Sequence, residues 1–263
     1  MLGATRRKQI VDLLRGKENG TVTISELSEA LRVSKMTIHR DLEFLENKDL
    51  LRCVHGGAVA FSLDETGAPF LDRVSSADLQ KKEIAQIAAQ LVNDGDILIL
   101  DAGTTTREVA RNLVTKNKIT VITNNIPVAV ELGPCQQINS IMLGGVIKHI
   151  ELCTVGGMVK QALSYLSADK LFLSAAGISL KRGLTDTDMA EVEVKQAMIH
   201  AAAKVILVSD SSKVNIHAMV KIAPIQEIHI WVTDDRVDPE IILSFEALGI
   251  RVITPSRKLA GIV

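Results

Sequence analysis

Apolar positions in the first fifty residues recur at helical spacing, in short runs. In RRKQIVDLL, Ile10, Leu13 and Leu14 fall on one face. GKENG then interrupts the pattern. Thr23-Ile24-Ser25-Glu26 has the form of a capping box, with Thr23 at the N-cap and Glu26 reaching back from the third position. The helix that follows is expected to bury Leu27, Ala30 and Leu31. A tight turn through Arg32-Val33 leads to Ser34, a second N-cap. The helix KMTIHRDLEFLEN then carries Ile38, Leu42 and Leu45 on its inner stripe. LLRCVHGGAVAF, with Gly56-Gly57 at a turn, predicts a small β-hairpin.

Residues 61–78, FSLDETGAPFLDRVSSAD, have no clear period and contain Gly, Pro and Ser, which predicts a linker. From Leu79 onward, helical and strand patterns alternate. The strands are ILILD, ITVITN, INSIMLGG, KLFLSAAGI, KVILVSD, EIHIWVTD and RVITP. The helices are LQKKEIAQIAAQLV, TTTREVARNLV, IPVAVEL, MVKQALSYL, AEVEVKQAMIHAA and PEIILSFEALG. Short apolar strands separated by helices predict βαβ units and a mostly parallel α/β sheet. The expected organisation is therefore a helix-turn-helix head over 1–60, a linker over 61–78 and an α/β domain over 79–263.

Composition agrees with a buried sheet. The chain is 47% hydrophobic but only 3% aromatic, so Ala, Val, Ile and Leu must build the core. The net charge of −1 hides a mild split. Residues 1–60 hold 10 Lys/Arg against 8 Asp/Glu, a net of +2, and the remainder is net −3. This permits DNA binding by the first part. Cys53, Cys135 and Cys153, odd in number and widely spaced, form no disulfide framework and no zinc pattern, which suits a reducing cytoplasm. MLGATRRKQI lacks the apolar stretch of a signal peptide. No run approaches the ~18 apolar residues of a membrane span. The histidines 39, 55, 149, 200, 217 and 229 show no metal-ligand spacing, so neither metal nor cofactor is expected. Trp231 is expected in the core, and Lys81-Lys82 at a solvated helix start.

Two stretches carry candidate chemistry. In the helix after Ser34, the face opposite the apolar stripe offers Lys35, Thr37, His39 and Arg40 near the N-terminus. Short polar groups and a guanidinium there suit base edges and phosphates in a major groove. Arg52 and His55 on the hairpin suit the flanking backbone or the minor groove. An ordinary amphipathic hairpin with a solvated polar face would show the same pattern.

Downstream, the strand ILIL ends in Asp101, then Ala102-Gly103, then Thr104, Thr105 and Thr106 opening a helix. Gly103 admits a close ligand, the threonines supply hydroxyls and the helix start supplies free N–H groups. This is a cradle for phosphate or another anion, although a plain capped helix reads the same way. Neither a Walker A loop nor a dinucleotide fingerprint is present. Asn124, Gly144-Gly145 and Asp210 with Lys213 follow other strands, and Glu193 and Lys195 lie on the helix after GLTDTD. Carboxylate, ammonium and phosphate cradle together suit a phosphorylated sugar or polyol.

The stretch from Ile24 to Val59 resembles the winged helix-turn-helix of the DeoR family of bacterial sugar-metabolism regulators. That family reads VS-x-x-TIRRDL and then an Arg before an HGGA wing. Here Val33, Ser34, Thr37, Ile38, Arg40, Asp41, Leu42, Arg52, His55, Gly56, Gly57 and Ala58 stand at those places. His39 replaces the family's Arg. The second half resembles the DeoR sensor domain through DAGTTT, VITNN, MLGG, GLT, Val194-Lys195, DSSK and VTDD. VIKHIELCTVGG and DSSKVN depart from it. The resemblance implies a sensor fold related to ribose-5-phosphate isomerase. It also implies a repressor of a carbohydrate-utilisation operon, with double-stranded operator DNA and a phosphorylated sugar or polyol as partners, acting as a homo-oligomer (dimer or tetramer) and not as an enzyme. The alternative is an isomerase-like enzyme with a DNA-binding head, using Asp101, Asp210 or Glu193 as acid or base and Lys213 as electrostatic stabiliser.

Overall fold

The computed structural model describes residues 3–15, 21–46, 51–54, 56–59 and 78–257. The chain divides into two compact units, Met1–Ala68 and Pro69–Val263. The linker expected over 61–78 lies outside the described residues except for Asp78, which opens a helix.

The first unit holds helices α1 (Gly3–Arg15), α2 (Ile24–Leu31) and α3 (Lys35–Glu46). It also holds strands β1 (Thr21–Thr23), β2 (Arg52–Val54) and β3 (Gly57–Val59). The capping box forms as the spacing predicts: Glu26 N–H donates to the Thr23 hydroxyl at 3.2 Å, and Thr23 N–H to the Glu26 carboxylate at 2.7 Å. β2 and β3 form the expected hairpin, Val54 facing Gly57. The sequence pattern missed β1, which pairs antiparallel with β3. Gly57 is required there, because a Cβ would lie 2.3 Å from the Val22 carbonyl oxygen. Ile10, Leu14, Leu27, Ile38, Leu42 and Leu45 meet in one core. Two expectations shift. Leu13 and Ala30 are exposed, and Ile24 joins Leu27 and Leu31 in the buried stripe of α2. The capping box starts α2 at Ile24, and the i, i+3, i+7 face follows from that start.

The second unit is built on a seven-stranded parallel sheet. Its strands are β4 (Ile97–Leu100), β5 (Thr120–Thr123), β6 (Asn139–Met142), β9 (Ala168–Leu173), β12 (Ala202–Val208), β14 (Ile230–Val232) and β15 (Arg251–Ile253). Their order is β15-β14-β12-β9-β4-β5-β6. Alternate residues pack on opposite faces: Leu98, Leu100, Phe172 and Ile206 in one core, Ile99, Leu171, Leu173 and Leu207 in the other. Both faces of the inner strands are apolar, so these read as continuous hydrophobic runs, while the edge strand β6 is largely exposed.

Helices α4 (Asp78–Gln90), α5 (Thr104–Asn112), α6 (Ile126–Leu132), α7 (Gly157–Leu163), α8 (Met189–His200) and α9 (Pro239–Glu246) fall where the 3.6-residue period places them. Trp231 is buried as expected, donating its indole N–H to the Ser209 hydroxyl at 2.9 Å. Lys81 is not solvated; it is 4% exposed.

Short antiparallel pieces escaped the sequence pattern. β7 (Val146–Lys148) and β8 (Cys153–Val155) form a hairpin. KLFLSAAGI is not one strand. It breaks after Leu173, and β10 (Gly177–Ser179) joins β11 (Gly183–Asp186) and β13 (Val220–Ala223) in a separate sheet. Strands of three or four residues with mixed polarity carry too few positions to show a period.

Candidate functional site

The turn before α3 is tightly made. Arg32 takes a left-handed conformation at φ 51°, and the Ser28 hydroxyl donates to the Val33 carbonyl at 2.7 Å. Ser34 then caps α3, accepting from Thr37 N–H at 3.2 Å, and its hydroxyl lies 2.9 Å from that of Thr37. These two predicted residues thus hold the helix start in place. Ile38, Leu42 and Leu45 are buried, while Lys35, His39 and Arg40 are exposed. Among the described residues none of these three is held by an ion pair. The side chain of Arg52, and all of His55, lie outside the described residues.

Sequence reasoning missed Asp41 as more than a letter of the motif. It is 2% exposed on the inner stripe and accepts from Nε of Arg6 at 2.5 Å and Nε of Arg7 at 2.9 Å. Burial opposes its ionisation, but the two guanidiniums outweigh burial and hold its carboxyl below the usual range. Arg7 also stacks 3.7 Å above the Phe44 ring. The signal was an aspartate interrupting an apolar stripe. Part of the basic charge of the head is therefore committed to holding α1 against α3.

In the second unit, β4 lies between β5 and β9, where the chain leaves one direction along the sheet and resumes in the other. Ligands on parallel sheets bind beyond the strand ends at such a switch point. Asp101 follows β4 and Ser174 follows β9. The Asp101 carboxylate accepts from Ser174 N–H at 3.0 Å, from the Ser174 hydroxyl at 2.8 Å and from the Lys195 ammonium. Lys195 is 2% exposed. It also donates to the Ser174 carbonyl at 3.1 Å and stands 3.5 Å from Asp186. Burial works against its charge, but the carboxylates of Asp101, Asp186 and Glu191 outweigh burial and raise its pKa. Burial pushes Glu191 up to about 7, with Lys195 opposing and Glu151 and Asp186 adding to the rise.

The loop after Asp101 is closed from inside. The Thr106 hydroxyl donates to the carbonyls of Asp101 at 2.7 Å and Gly103 at 2.9 Å. Asn125 donates to the Gly103 carbonyl at 3.2 Å and caps α6. A Cβ on Gly103 would lie 2.9 Å from the Ser174 hydroxyl oxygen. Thr104 and Thr105 are buried in the first turn of α5, whose leading N–H groups have no carbonyl within the helix. Asn124 donates to the Thr154 carbonyl at 2.9 Å, while its buried Oδ1 has no partner among the described residues.

The remaining predicted residues separate. Gly144 is exposed. Gly145 is needed where a Cβ would lie 2.6 Å from the Val155 carbonyl oxygen. Asp210 is buried at the end of β12, accepting from Ser212 N–H at 3.0 Å, and Lys213 is half-buried in the turn Ser211–Lys213. Glu193 is not brought to the Asp101–Lys195 cluster: it points outward and pairs with Lys160 at 2.6 Å. On α8, positions 191, 195 and 198 share the inward face, which makes Glu191 the carboxylate of the cluster. Among the described residues, no group of three His, Cys, Asp or Glu stands together as a metal site.

Comparison with known proteins covers nearly the whole chain. Residues 6–63 match the DeoR-like helix-turn-helix domain, and residues 77–235 match the DeoR C terminal sensor domain. The HTH-type transcriptional regulator YulB of Bacillus subtilis is 33% identical over 96% of each chain. The glycerol-3-phosphate regulon repressor of Haemophilus influenzae is 33% identical over 93% of this chain and 94% of its own. Among solved structures, a ribose 5-phosphate isomerase from Methanocaldococcus jannaschii overlaps 53% of this chain and 55% of its own, at 18% identity and a TM-score of 0.39, a likeness too slight to speak for chemistry.

Proposed function

The chain belongs to the DeoR family of transcriptional regulators, and from that premise we propose that it represses a carbohydrate-utilisation operon and responds to a phosphorylated sugar or polyol. α3 enters the major groove of a double-stranded operator, with Lys35, Thr37, His39 and Arg40 toward the DNA and Arg52 and His55 on the wing. The observation that carries this reading is the exposure of Lys35, His39 and Arg40 on the capped α3, whose inner stripe packs in the core. A helix-turn-helix reads paired half-sites, so the chain acts as a homo-oligomer, a dimer or tetramer.

The effector site is the crevice beyond β4 and β9. Lys195 sits among Asp101, Asp186 and Glu191, so its charge is already balanced and the surroundings disfavour an anion. The phosphate therefore belongs at Gly103–Thr105 and the start of α5, where N–H groups are free. Hydroxyl groups of the effector face the acidic side, since carboxylates accept from hydroxyls. The name of the Haemophilus relative, which cites glycerol-3-phosphate, fits this class. A catalytic reading gains less support, because Asp101 and Asp210 are both engaged by neighbouring donors.

An electrophoretic shift with DNA from upstream of the chain's own operon tests the proposal. Specific, salt-sensitive retardation is expected, released by a phosphorylated polyol but not by its unphosphorylated form or by inorganic phosphate. Thr105→Leu should keep operator binding and lose the release. Turnover of pentose or hexose phosphates without DNA binding would overturn the reading.

A further inference from the structure

Two large apolar side chains on α3 are exposed, Met36 and Phe44. Phe44 is covered on one ring face by the Arg7 guanidinium. Met36 is 65% exposed. It lies in the first turn, one helical turn before His39 and Arg40, on the face that it shares with them and with Glu43. The inner stripe is complete without it, since Ile38, Asp41, Leu42 and Leu45 fill that side. A thioether held in water among polar groups contributes nothing to the fold of this unit. Its placement is that of a contact made on binding.

In a helix-turn-helix, the first turns of the second helix face the base edges. Thymine alone of the four bases presents a methyl group in the major groove, and apolar side chains recognise it. We infer that Met36 reads thymine, packing its side chain on the 5-methyl group of a thymine in each half-site. The inference rests on the operator reading above. Met is unbranched and polarisable, so it follows the methyl surface without a demanding geometry. His39 and Arg40 then supply the polar contacts beside it.

The test uses the full chain and a duplex enriched by it from a random DNA pool. Each thymine is replaced singly by deoxyuridine, which removes only the methyl group. At one thymine or more per half-site, the replacement should weaken wild-type binding about four-fold, the factor that burial of one methyl-sized group predicts. Met36→Ala should bind the thymine and uracil duplexes equally at that position, with an unchanged melting temperature, and Met36→Leu should restore the preference. Equal uracil losses for wild type and Met36→Ala at every position would overturn this inference and leave the operator reading standing. Failure to enrich any sequence would overturn the operator reading and this inference with it.

Discussion

Lys195 and Asp101 lie 94 positions apart and pair in the interior, each 2% exposed or less. The pair joins α8 to the end of β4. Because both charges are out of water, each depends on the other. Lys195→Met should lower the stability of the sensor unit by about 3–5 kcal/mol, since it leaves Asp101 and Asp186 uncompensated. Urea denaturation reads this directly. Adding Asp101→Asn to the same chain should recover much of the loss, and strictly additive losses would show that the two do not act as a pair.

Glu191 gives the unit a pH dependence of unusual sign. Its carboxyl is pushed up to about 7, chiefly by burial, against an ordinary 4.5. The folded state therefore keeps a proton that the unfolded chain releases between these values. Stability from this group is fully present below pH ~4.5 and falls by about 1.4 kcal/mol per pH unit up to ~7, then levels. Glu191→Gln should remove that slope. Denaturation midpoints at pH 5 and pH 8 would be closer together in the variant than in the wild type.

Neighbouring residues on α3 should behave oppositely. Arg40 is exposed, so Arg40→Ala should change stability by less than about 0.5 kcal/mol. It should weaken operator binding and reduce the salt slope by about one. Asp41 is buried beneath Arg6 and Arg7, and Asp41→Ala should cost the head about 1–3 kcal/mol. Thermal melts alongside DNA titrations separate the two effects. A collapsed melt for Arg40→Ala would make that residue structural.

Gly57→Ala should damage the wing without touching a surface charge. The new methyl would press on the Val22 carbonyl, a backbone atom of the paired strand β1, at a cost of about 1–3 kcal/mol. Faster amide exchange in β1 and β3, with α5 and β4 unaffected, is the expected signature. Unchanged exchange in β1 would show that the strand yields freely.

Much was legible along the chain because it is local. The Thr23–Glu26 box, the Ser34 cap and the apolar period of α3 depend on residues three or four apart, and the structure reproduces them. The parallel strands were legible because burial on both faces demands unbroken apolar runs. The β7–β8 hairpin and β1 were not, since three residues cannot display a period.

Local order therefore settled the helices and the parallel strands, the position of α3 and the loop after Asp101, all governed by short-range hydrogen bonding and spacing. Only the three-dimensional packing decided which charges meet. Glu191, rather than Glu193, joins the Lys195 cluster because it shares the buried face of α8 with Lys195, while Glu193 faces out to Lys160. Asp41 meets Arg6 and Arg7 because α1 crosses α3. Such pairings are set by burial, which withdraws water and leaves each charge to the partner the fold provides.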